Sequence, residues 1–174
     1  MHNTIENFFT PRGVAIIGAS SNPEKLSLGI LINMVQYGYT GGIYPVNPGS
    51  TEIAVRNPKS GELKILKCYA DVSNVPDPVD LAVIVLPAKL VLQVVENCGK
   101  RGIKNSTIIS GGLKEAGDNG SLLENELLRI ARTYQIRLTG QNCVGTADLY
   151  SGLNTTFIRG LPNRGPSGFL SQSG

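Results

Sequence analysis

The sequence contains no tryptophan and only one histidine, His2, and its three cysteines are widely separated without any C-x-x-C spacing. Without tryptophan, an aromatic cage is not expected. Cys68, Cys98 and Cys143 match neither a disulfide framework nor a zinc site, so the sequence predicts no metal site and favours a reducing, cytoplasmic setting. No histidine is placed to activate Cys143, which is therefore interpreted as a packed or loop residue.

Charge and long hydrophobic runs are also scarce. Only 17% of residues are charged, and the net charge of +3 is spread along the chain without a basic run, so nucleic-acid binding is not predicted. No apolar segment approaches the roughly 18 residues that a membrane-spanning helix needs, and the N-terminal "MHNTIENFFT" does not resemble a secretion signal. We therefore expect a soluble protein without a membrane partner.

Glycine, in contrast, is abundant, with 21 residues in a chain of 174 that is 41% hydrophobic. A chain of this length can bury one core without a metal or disulfides. Short β-branched runs, typical of parallel strands buried on both faces, recur between amphipathic segments. The pattern predicts a single α/β domain with a Rossmann-like, doubly wound parallel sheet of about five strands. The predicted strands are Gly13–Ile17, Gly42–Val46, Asp80–Leu86, Ser106–Ser110 and Ile136–Thr139.

The first predicted helix lies within "SNPEKLSLGILINMVQYG". Pro23 and a capping box of Ser21 with Glu24 indicate its start, and Gly38 indicates its end. The side chains expected on its buried face are Leu26, Ile30, Leu31, Met34 and Val35.

Two further helices are predicted. One runs from about Ala88 to Arg101, and the other opens with Ser121 and Glu124 as a capping box. The side chains expected on their buried faces are Leu90, Val91, Val94, Val95 and Cys98 for the former, and Leu123, Leu127, Ile130 and Tyr134 for the latter. Residues 50–66 instead show two alternating runs around Asn57–Gly61, which predict a hairpin between the second and third sheet strands.

The turn after the first strand, "GASSNPEK", predicts a phosphate site, because a helix N-terminus offers free backbone N–H groups. A dinucleotide fingerprint needs a second glycine and an acidic residue after the second strand. Position 20 is serine, and the second strand is followed by Asn47. Ser20, Ser21 and Asn22, with Lys25 one turn later, are suited to a pyrophosphate without a nicotinamide ribose. Gly18 alternatively serves only close packing, and Lys25 is alternatively a solvated surface lysine.

Ordered along the chain, the segments "FTPRGVAIIGASSNPEK", "GYTGGIYPVNP", "DLAVIVLPAKL", "GLKEAG" and "GFLSQSG" resemble the CoA-binding domain of the NDP-forming acyl-CoA synthetases, the superfamily of the succinyl-CoA synthetase alpha subunit. The resemblance implies an N-terminal domain that binds coenzyme A or acyl-CoA. It also implies that ATP or GTP with Mg binds outside this chain, on an ATP-grasp domain or subunit, as does the catalytic histidine. The residues implied for the CoA site are Gly18, Ser20, Ser21, Asn22, Pro23, Lys25, Pro45, Asn47, Pro87, Ala88, Ser110, Gly111 and Gly112.

The resemblance further implies a division of the chain into residues 1–145, the CoA-binding domain, and residues 146–174, a connection into a following synthetase domain. The family's G-P-N-C after the fifth strand is replaced here by Gly140-Gln141-Asn142-Cys143, which removes the fixed φ of a proline. The terminal Ser171–Gly174 resembles half of a phosphohistidine cradle. Glu115 and Asp118 are interpreted as a solvated turn rather than a catalytic pair.

Two other functions remain open at the level of sequence. One is a stand-alone or acetyltransferase-fused CoA-binding module that regulates rather than ligates. The other is an NAD-binding oxidoreductase domain, which the missing acidic residue disfavours.

Overall fold

The computed structural model describes residues 5–113, 117–158, 160 and 165. Its centre is a five-stranded parallel sheet, whose strands are β1 Gly13–Ile17, β2 Gly42–Val46, β5 Leu81–Ile84, β6 Asn105–Ile108 and β7 Arg137–Gly140. Their order in the sheet is β2-β1-β5-β6-β7. Every residue of β1, β5 and β6 is buried, as expected for strands covered on both faces. The predicted fold class is confirmed.

Helices cover both faces of this sheet. They are α1 (Leu26–Gln36), α2 (Ala88–Arg101) and α3 (Asp118–Tyr134). One core cluster joins α1 to the sheet through Ile30, Leu31 and Met34, and the other joins α2 and α3 to the opposite face. Strand order therefore reverses between β1 and β5, which is where ligands bind in sheets of this kind.

The hairpin between β2 and β5 is confirmed. Strands β3 (Glu52–Arg56) and β4 (Leu63–Lys67) pair antiparallel, and the intervening turn contains Gly61. The inward side chains Ile53, Val55 and Leu66 join the α1 side of the core. The hairpin is thus an integral part of that face of the molecule.

Beyond β7, the short strands β8 (Ala147–Asp148) and β9 (Leu153–Asn154) pair antiparallel. Leu153 is fully buried in the α1 side of the core. In addition, the Asn33 side-chain amide on α1 donates to the carbonyls of Thr156 and Ile158, at 2.7 and 3.0 Å. Residues 146–158 are therefore packed against the sheet domain.

Both predicted capping boxes are wrong. Helix α1 begins at Leu26 with Lys25 as an N-cap that makes no side-chain cap bond, and α3 begins at Asp118, three residues before Ser121. Before α1, Asn22 instead accepts the Glu24 N–H at 2.9 Å in a local turn that delays the helix. The predicted end of α1 holds, since Gly38 takes a positive φ of 73° beyond its last turn.

Two predicted core residues are exposed. Leu26 is 47% exposed because it is the first residue of α1, and Leu90 is 44% exposed because the buried stripe of α2 follows Val91, Val95 and Cys98. The predicted third and fourth sheet strands also extend about two residues too far. Their ends at Ile84 and Ile108 precede loops that lead toward the ligand-binding edge.

Candidate functional site

Two clefts open at the carboxyl edge of the sheet. The first cleft has a volume of about 460 Å³ and lies beside the N-terminus of α1 and the loops after β5, β6 and β7. Its lining residues are Gly18, Glu24, Lys25, Leu26, Ser27, Val85, Leu86, Pro87, Ile109, Ser110, Gly111, Asn142, Cys143, Val144 and Phe157. It occupies the edge at which parallel α/β sheets bind ligands.

The second cleft, of about 360 Å³, lies beside the ends of β1 and β2 and the outer face of α2. Its lining residues are Ile17, Gly18, Val46, Asn47, Pro48, Ala70, Asp71, Val72, Leu86, Leu90, Gln93, Val94 and Asn97. Gly18 and Leu86 line both clefts. A ligand too long for either cleft therefore has a route across Gly18 into the other.

Gly18 forms the shared wall because the backbones approach closely there. Its φ is +88°, and a Cβ at this position would lie 2.3 Å from the Val85 carbonyl oxygen. Its own N–H donates to the Val46 carbonyl at 3.0 Å, and that of Ala19 donates to the same oxygen at 3.3 Å. Gly18 therefore joins three strand ends, and these two N–H groups are already used within the protein.

The turn after Gly18 also satisfies much of its own hydrogen bonding. Ser20 Oγ accepts the Asn22 N–H at 3.1 Å, and the Asn22 side chain and carbonyl accept the N–H groups of Glu24 and Lys25. Ser20, Ser21, Asn22 and Pro23 line neither cleft, whereas Lys25 lines the first. The backbone N–H groups of Asn22, Glu24 and Lys25 are therefore already used within this turn.

Ser27 is a cleft residue that the sequence analysis missed. It lies in the first turn of α1, is fully buried, and lines the first cleft. Its hydroxyl has no hydrogen-bond partner within the described part of the chain. The sequence did contain a signal for it, because Ser27 lies three residues before Ile30 on a helical stripe that is otherwise hydrophobic. The predicted capping box placed Ser27 in the second turn of the helix rather than in the first.

The loops after β5 and β6 are joined by Ser110. Its hydroxyl accepts the Leu86 N–H at 3.0 Å, and its carbonyl accepts the Asn142 N–H at 3.1 Å. Pro87, Ser110 and Gly111 all line the first cleft. Ala88 and Gly112 line neither cleft, and a Cβ on Gly112 would be 3.3 Å from the Ala88 Cβ.

Asn47 fixes the far side of the second cleft. Its amide donates to the Ala19 carbonyl at 2.7 Å, and its side-chain oxygen accepts the Gly49 N–H at 2.8 Å. Both ends of the side chain are thus engaged, leaving it poorly suited to bind two ribose hydroxyls. Pro45 is buried within β2 and lines neither cleft.

The second cleft carries a polar rim. The Gln93 amide donates to Asn97 at 3.0 Å, and Asn97 is hydrogen-bonded to the Asp71 carboxylate. The backbone N–H of Ser73, which donates to Asp71 at 2.8 Å, is the main cause of the lowered pKa of that carboxylate. Asp71 therefore remains an acceptor under neutral conditions.

The loop after β7 places Cys143 in the first cleft. Its thiol donates to the Ile108 carbonyl at 3.4 Å, and burial raises its pKa above the ordinary value. A neutral, hydrogen-bonded thiol fits the interpretation of Cys143 as a packed loop residue. In place of the family proline, Gln141 precedes Asn142, which takes a positive φ of 51°.

Several predicted features fall outside the described residues, namely His2, Glu115 and Ser171–Gly174. Among the described residues, no three side chains of the metal-ligating types are grouped around a common point. The described helices include none with the length and apolar character needed to cross a membrane.

Comparison with known protein families matches residues 12–148 to the family described as the CoA binding domain. The chain belongs to this family. Membership confirms the resemblance found in the sequence and supports a CoA-binding domain over a nicotinamide-dependent oxidoreductase.

Named relatives extend the comparison. The chain is 43% identical over 171 residues to the alpha subunit of an ADP-forming acetate–CoA ligase I of Pyrococcus furiosus, covering 98% of this chain and 36% of that protein. It is 41% identical over 170 residues to the ADP-forming acetate–CoA ligase I of Archaeoglobus fulgidus, covering 98% and 23% of the two chains. The CoA binding domain described here thus spans about a third or less of these relatives.

A solved structure gives the same picture. The dinucleotide-forming acetyl-coenzyme A synthetase 1 of Candidatus Korarchaeum cryptofilum, in complex with phosphate and ADP, matches with a TM-score of 0.78 and 42% identity. The match covers 88% of this chain and 30% of that one. The Rossmann-like architecture is thus shared with a portion of that synthetase.

Proposed function

We propose that this chain is the CoA-binding N-terminal domain of an NDP-forming acyl-CoA synthetase, which converts an acid, CoA and a nucleoside triphosphate into acyl-CoA, NDP and phosphate. The observation that carries the proposal is the pair of clefts meeting at Gly18, in a chain of the CoA binding domain family. The relatives named above are ADP-forming, which favours ATP over GTP.

The residues present fit an extended ligand with charged and apolar parts. The first cleft offers backbone donors at the N-terminus of α1 and an unpartnered buried hydroxyl on Ser27, both suited to phosphate. The second cleft offers hydrophobic walls that include Val46, Val72 and Leu90. CoA, when bound, supplies the thiol that receives the acyl group.

In this proposal the chain's own residues bind and orient. Gly18 and Asn47 hold the ends of β1 and β2 together. Ser110 holds the loops after β5 and β6 together, and Pro87 is the residue that precedes the first turn of α2. The remaining members of the predicted CoA site, Ser20, Ser21, Asn22, Pro23, Lys25, Pro45, Ala88, Gly111 and Gly112, are kept as contacts or supports of these segments. The catalytic histidine, the ATP-grasp part and any Mg are assigned to parts of the synthetase outside this chain.

The same proposal keeps residues 1–145 as the CoA-binding domain and residues 146–174 as the connection to the next domain. The family match, which ends at residue 148, supports this boundary. The burial of Leu153 in the core and the bonds from Asn33 support a connection whose first residues pack against the domain.

The direct test compares CoA with NAD by calorimetric titration and thermal unfolding of the 174-residue chain. We expect CoA to bind and, at about a hundredfold excess over its Kd, to raise Tm by roughly 5–10 °C through ligand linkage. NAD should leave Tm unchanged, because β2 ends in the engaged Asn47 rather than a carboxylate. Stabilisation by NAD without stabilisation by CoA would contradict the proposal.

A second measurement tests the assignment of the chemistry. The chain incubated with labelled ATP, CoA and a panel of carboxylic acids should form no acyl-CoA and retain no label, since the proposed catalytic histidine lies on another segment. Addition of the ATP-grasp part and the rest of the alpha subunit should restore turnover. Turnover or stable labelling by this chain alone would show that its active site is complete.

A further inference from the structure

The β3–β4 hairpin has two faces of different character. Its inward side chains pack into the α1 side of the core, whereas its outward side chains are all exposed and line neither cleft. The outward side chains form three cross-strand pairs, which are Glu52 with Lys67, Ala54 with Ile65, and Arg56 with Leu63. These six residues, called the hairpin face below, therefore have no part in the proposed CoA site.

The middle of the hairpin face is hydrophobic. On a strand with one face packed and the other in water, polar side chains are expected at the outward positions. Strand β4 departs from this rule, because Leu63 and Ile65 point outward with 50% and 52% of their surface exposed. Ala54, opposite Ile65, extends the same strip. Neighbouring exposed hydrophobic side chains, unlike single scattered ones, indicate a surface that contacts a partner.

Charged side chains lie at the ends of this strip. Glu52 and Lys67 form the pair at one end, and Arg56 lies at the other. The Lys67 ammonium group lies 5.2 Å from the centre of the Tyr69 ring, and Arg56 Nη1 donates to the Gly61 carbonyl at 2.8 Å, so contacts within the chain position both cations. Glu52 forms no ion pair with any residue that the structure describes. Its carboxylate is thus available to a cation on a partner.

A second copy of the hairpin face is complementary to the first. Two identical faces meet about a two-fold axis that lies in their common plane. An axis parallel to the strands places Glu52 against Lys67 of the second copy, with Ala54 against Ile65. An axis perpendicular to the strands, through the central pair, instead places Glu52 against Arg56 of the second copy. In both arrangements a carboxylate meets a cation and hydrophobic side chains meet each other.

We propose that the hairpin face is a self-association surface that binds the hairpin face of a second copy of this chain. The charge pattern decides the choice of partner, because a uniformly acidic or uniformly basic surface would place like charges against part of the face. Six residues make a small interface, so the dimer is weak and its population depends on concentration. This inference goes beyond the proposed function and does not depend on it.

The test compares wild type with Ile65→Lys by sedimentation equilibrium, with Leu122→Lys as the matched control. Leu122 is 67% exposed on α3, away from the hairpin face. Between about 10 μM and 1 mM, we expect the average mass of wild type to rise from 18.5 kDa toward twice that value. Ile65→Lys should weaken dimerisation at least about tenfold, and Leu122→Lys should leave it unchanged.

Both substituted side chains are exposed, so both variants should keep the Tm of wild type, and thermal unfolding checks this. A wild-type chain that stays at 18.5 kDa over the whole concentration range overturns the inference. Equal weakening of dimerisation by Ile65→Lys and Leu122→Lys overturns it as well.

Charge reversal tests the pairing itself. Glu52→Arg should weaken dimerisation about tenfold in either arrangement, because it places two cations opposite each other. Adding Lys67→Glu to Glu52→Arg should restore the dimer if the axis is parallel to the strands, and adding Arg56→Glu should restore it if the axis is perpendicular. Restoration by either second substitution supports the inference and identifies the axis. Restoration by neither overturns it.

A measurement on wild type alone provides an independent check. Backbone amide resonances of Glu52–Arg56 and Leu63–Lys67 should shift between dilute and concentrated samples, because their surroundings change when the dimer forms. A rise in mass without shifts in these two strands would place the contact elsewhere and overturn the inference.

Discussion

The two clefts lie on either side of the same glycine and offer different chemistry. The first cleft has backbone donors and a buried hydroxyl at the start of α1, whereas the second combines hydrophobic walls with the hydrogen-bonded rim of Gln93, Asn97 and Asp71. The difference shows that one strand-end edge presents a polar environment and a largely apolar one side by side, which is the arrangement that the proposed function requires. The backbone at Gly18 keeps the two environments adjacent.

The largest expected effect is that of Gly18→Ala, which should damage both clefts at once. The new Cβ would meet the Val85 carbonyl at 2.3 Å in a backbone conformation with φ of +88°. We expect the free energy of unfolding to fall by about 3 kcal/mol or more, with CoA affinity falling as well, because strain and steric conflict add. Urea unfolding and calorimetric titration measure the two effects.

The control for this substitution is Gly61→Ala at the hairpin turn. Gly61 has a similar φ of +75°, but an added Cβ there meets no atom within 4 Å. It should cost about 1–2 kcal/mol from backbone strain alone and leave CoA affinity unchanged. Equal losses in the two variants would mean that the contact at Gly18 contributes nothing beyond its dihedral angle.

An intermediate effect is expected from Asp71→Asn, which alters the second cleft only. Because the folded-state pKa of Asp71 is lowered, its carboxylate stabilises the fold above its unfolded pKa of about 3.9, and that stabilisation is lost as pH falls through the folded value. An asparagine at this N-cap position can still accept the Ser73 N–H, so the free energy of unfolding at neutral pH should fall by only about 0.5–1 kcal/mol.

Urea unfolding of wild type and Asp71→Asn at pH 7 and near pH 3 measures this dependence. The free energies of unfolding of wild type and Asp71→Asn should differ less at the lower pH. The corresponding difference between wild type and the first-cleft variant Ser27→Ala should be the same at both pH values. If the loss in free energy of unfolding caused by Asp71→Asn were the same at both pH values, the charge of Asp71 would contribute nothing to stability.

The smallest effect is expected from Lys25→Ala in the first cleft. Lys25 is exposed, so a contact between its ammonium group and a phosphate would be screened by water and salt. CoA affinity should fall less than about threefold at 0.15 M salt, as measured by calorimetric titration. A loss greater than tenfold would shift the source of anion binding from the backbone to this side chain.

Much of the fold was readable from local signals. The bounds of β1, β2 and α2 match the prediction residue for residue, because turn-forming residues follow each element: Gly18 at positive φ after β1, Asn47 and Pro48 after β2, and Gly102 at positive φ after α2. Gly102, with φ of +89°, ends α2, and Pro87 precedes its first residue. The start of α1 was misplaced because the Asn22 side chain bonds the Glu24 N–H in a turn that competes with helix formation.

For the candidate site, the sequence allowed us to predict which segments of the chain come together but not every side chain that lines the clefts. Parallel strand ends must meet at one edge, so Gly18, Asn47, Pro87 and Ser110 were predictable as neighbours. Ser27 was not, since its significance depends on an unsatisfied buried hydroxyl and on where α1 begins. Both are properties of three-dimensional packing that hydrophobic periodicity does not report.

The proline within β2 has a consequence for association between chains. In a parallel strand the N–H and C=O of one residue point the same way, and the Pro45 carbonyl accepts the Tyr69 N–H at 2.9 Å on the side away from β1. The missing donor of Pro45 therefore faces outward, and Tyr69 also accepts the Asn47 N–H at 2.8 Å. A strand of another chain cannot pair along this edge of the sheet, because Pro45 has no N–H to donate and the neighbouring backbone groups are already hydrogen-bonded to Tyr69. This arrangement protects the sheet from edge-to-edge aggregation.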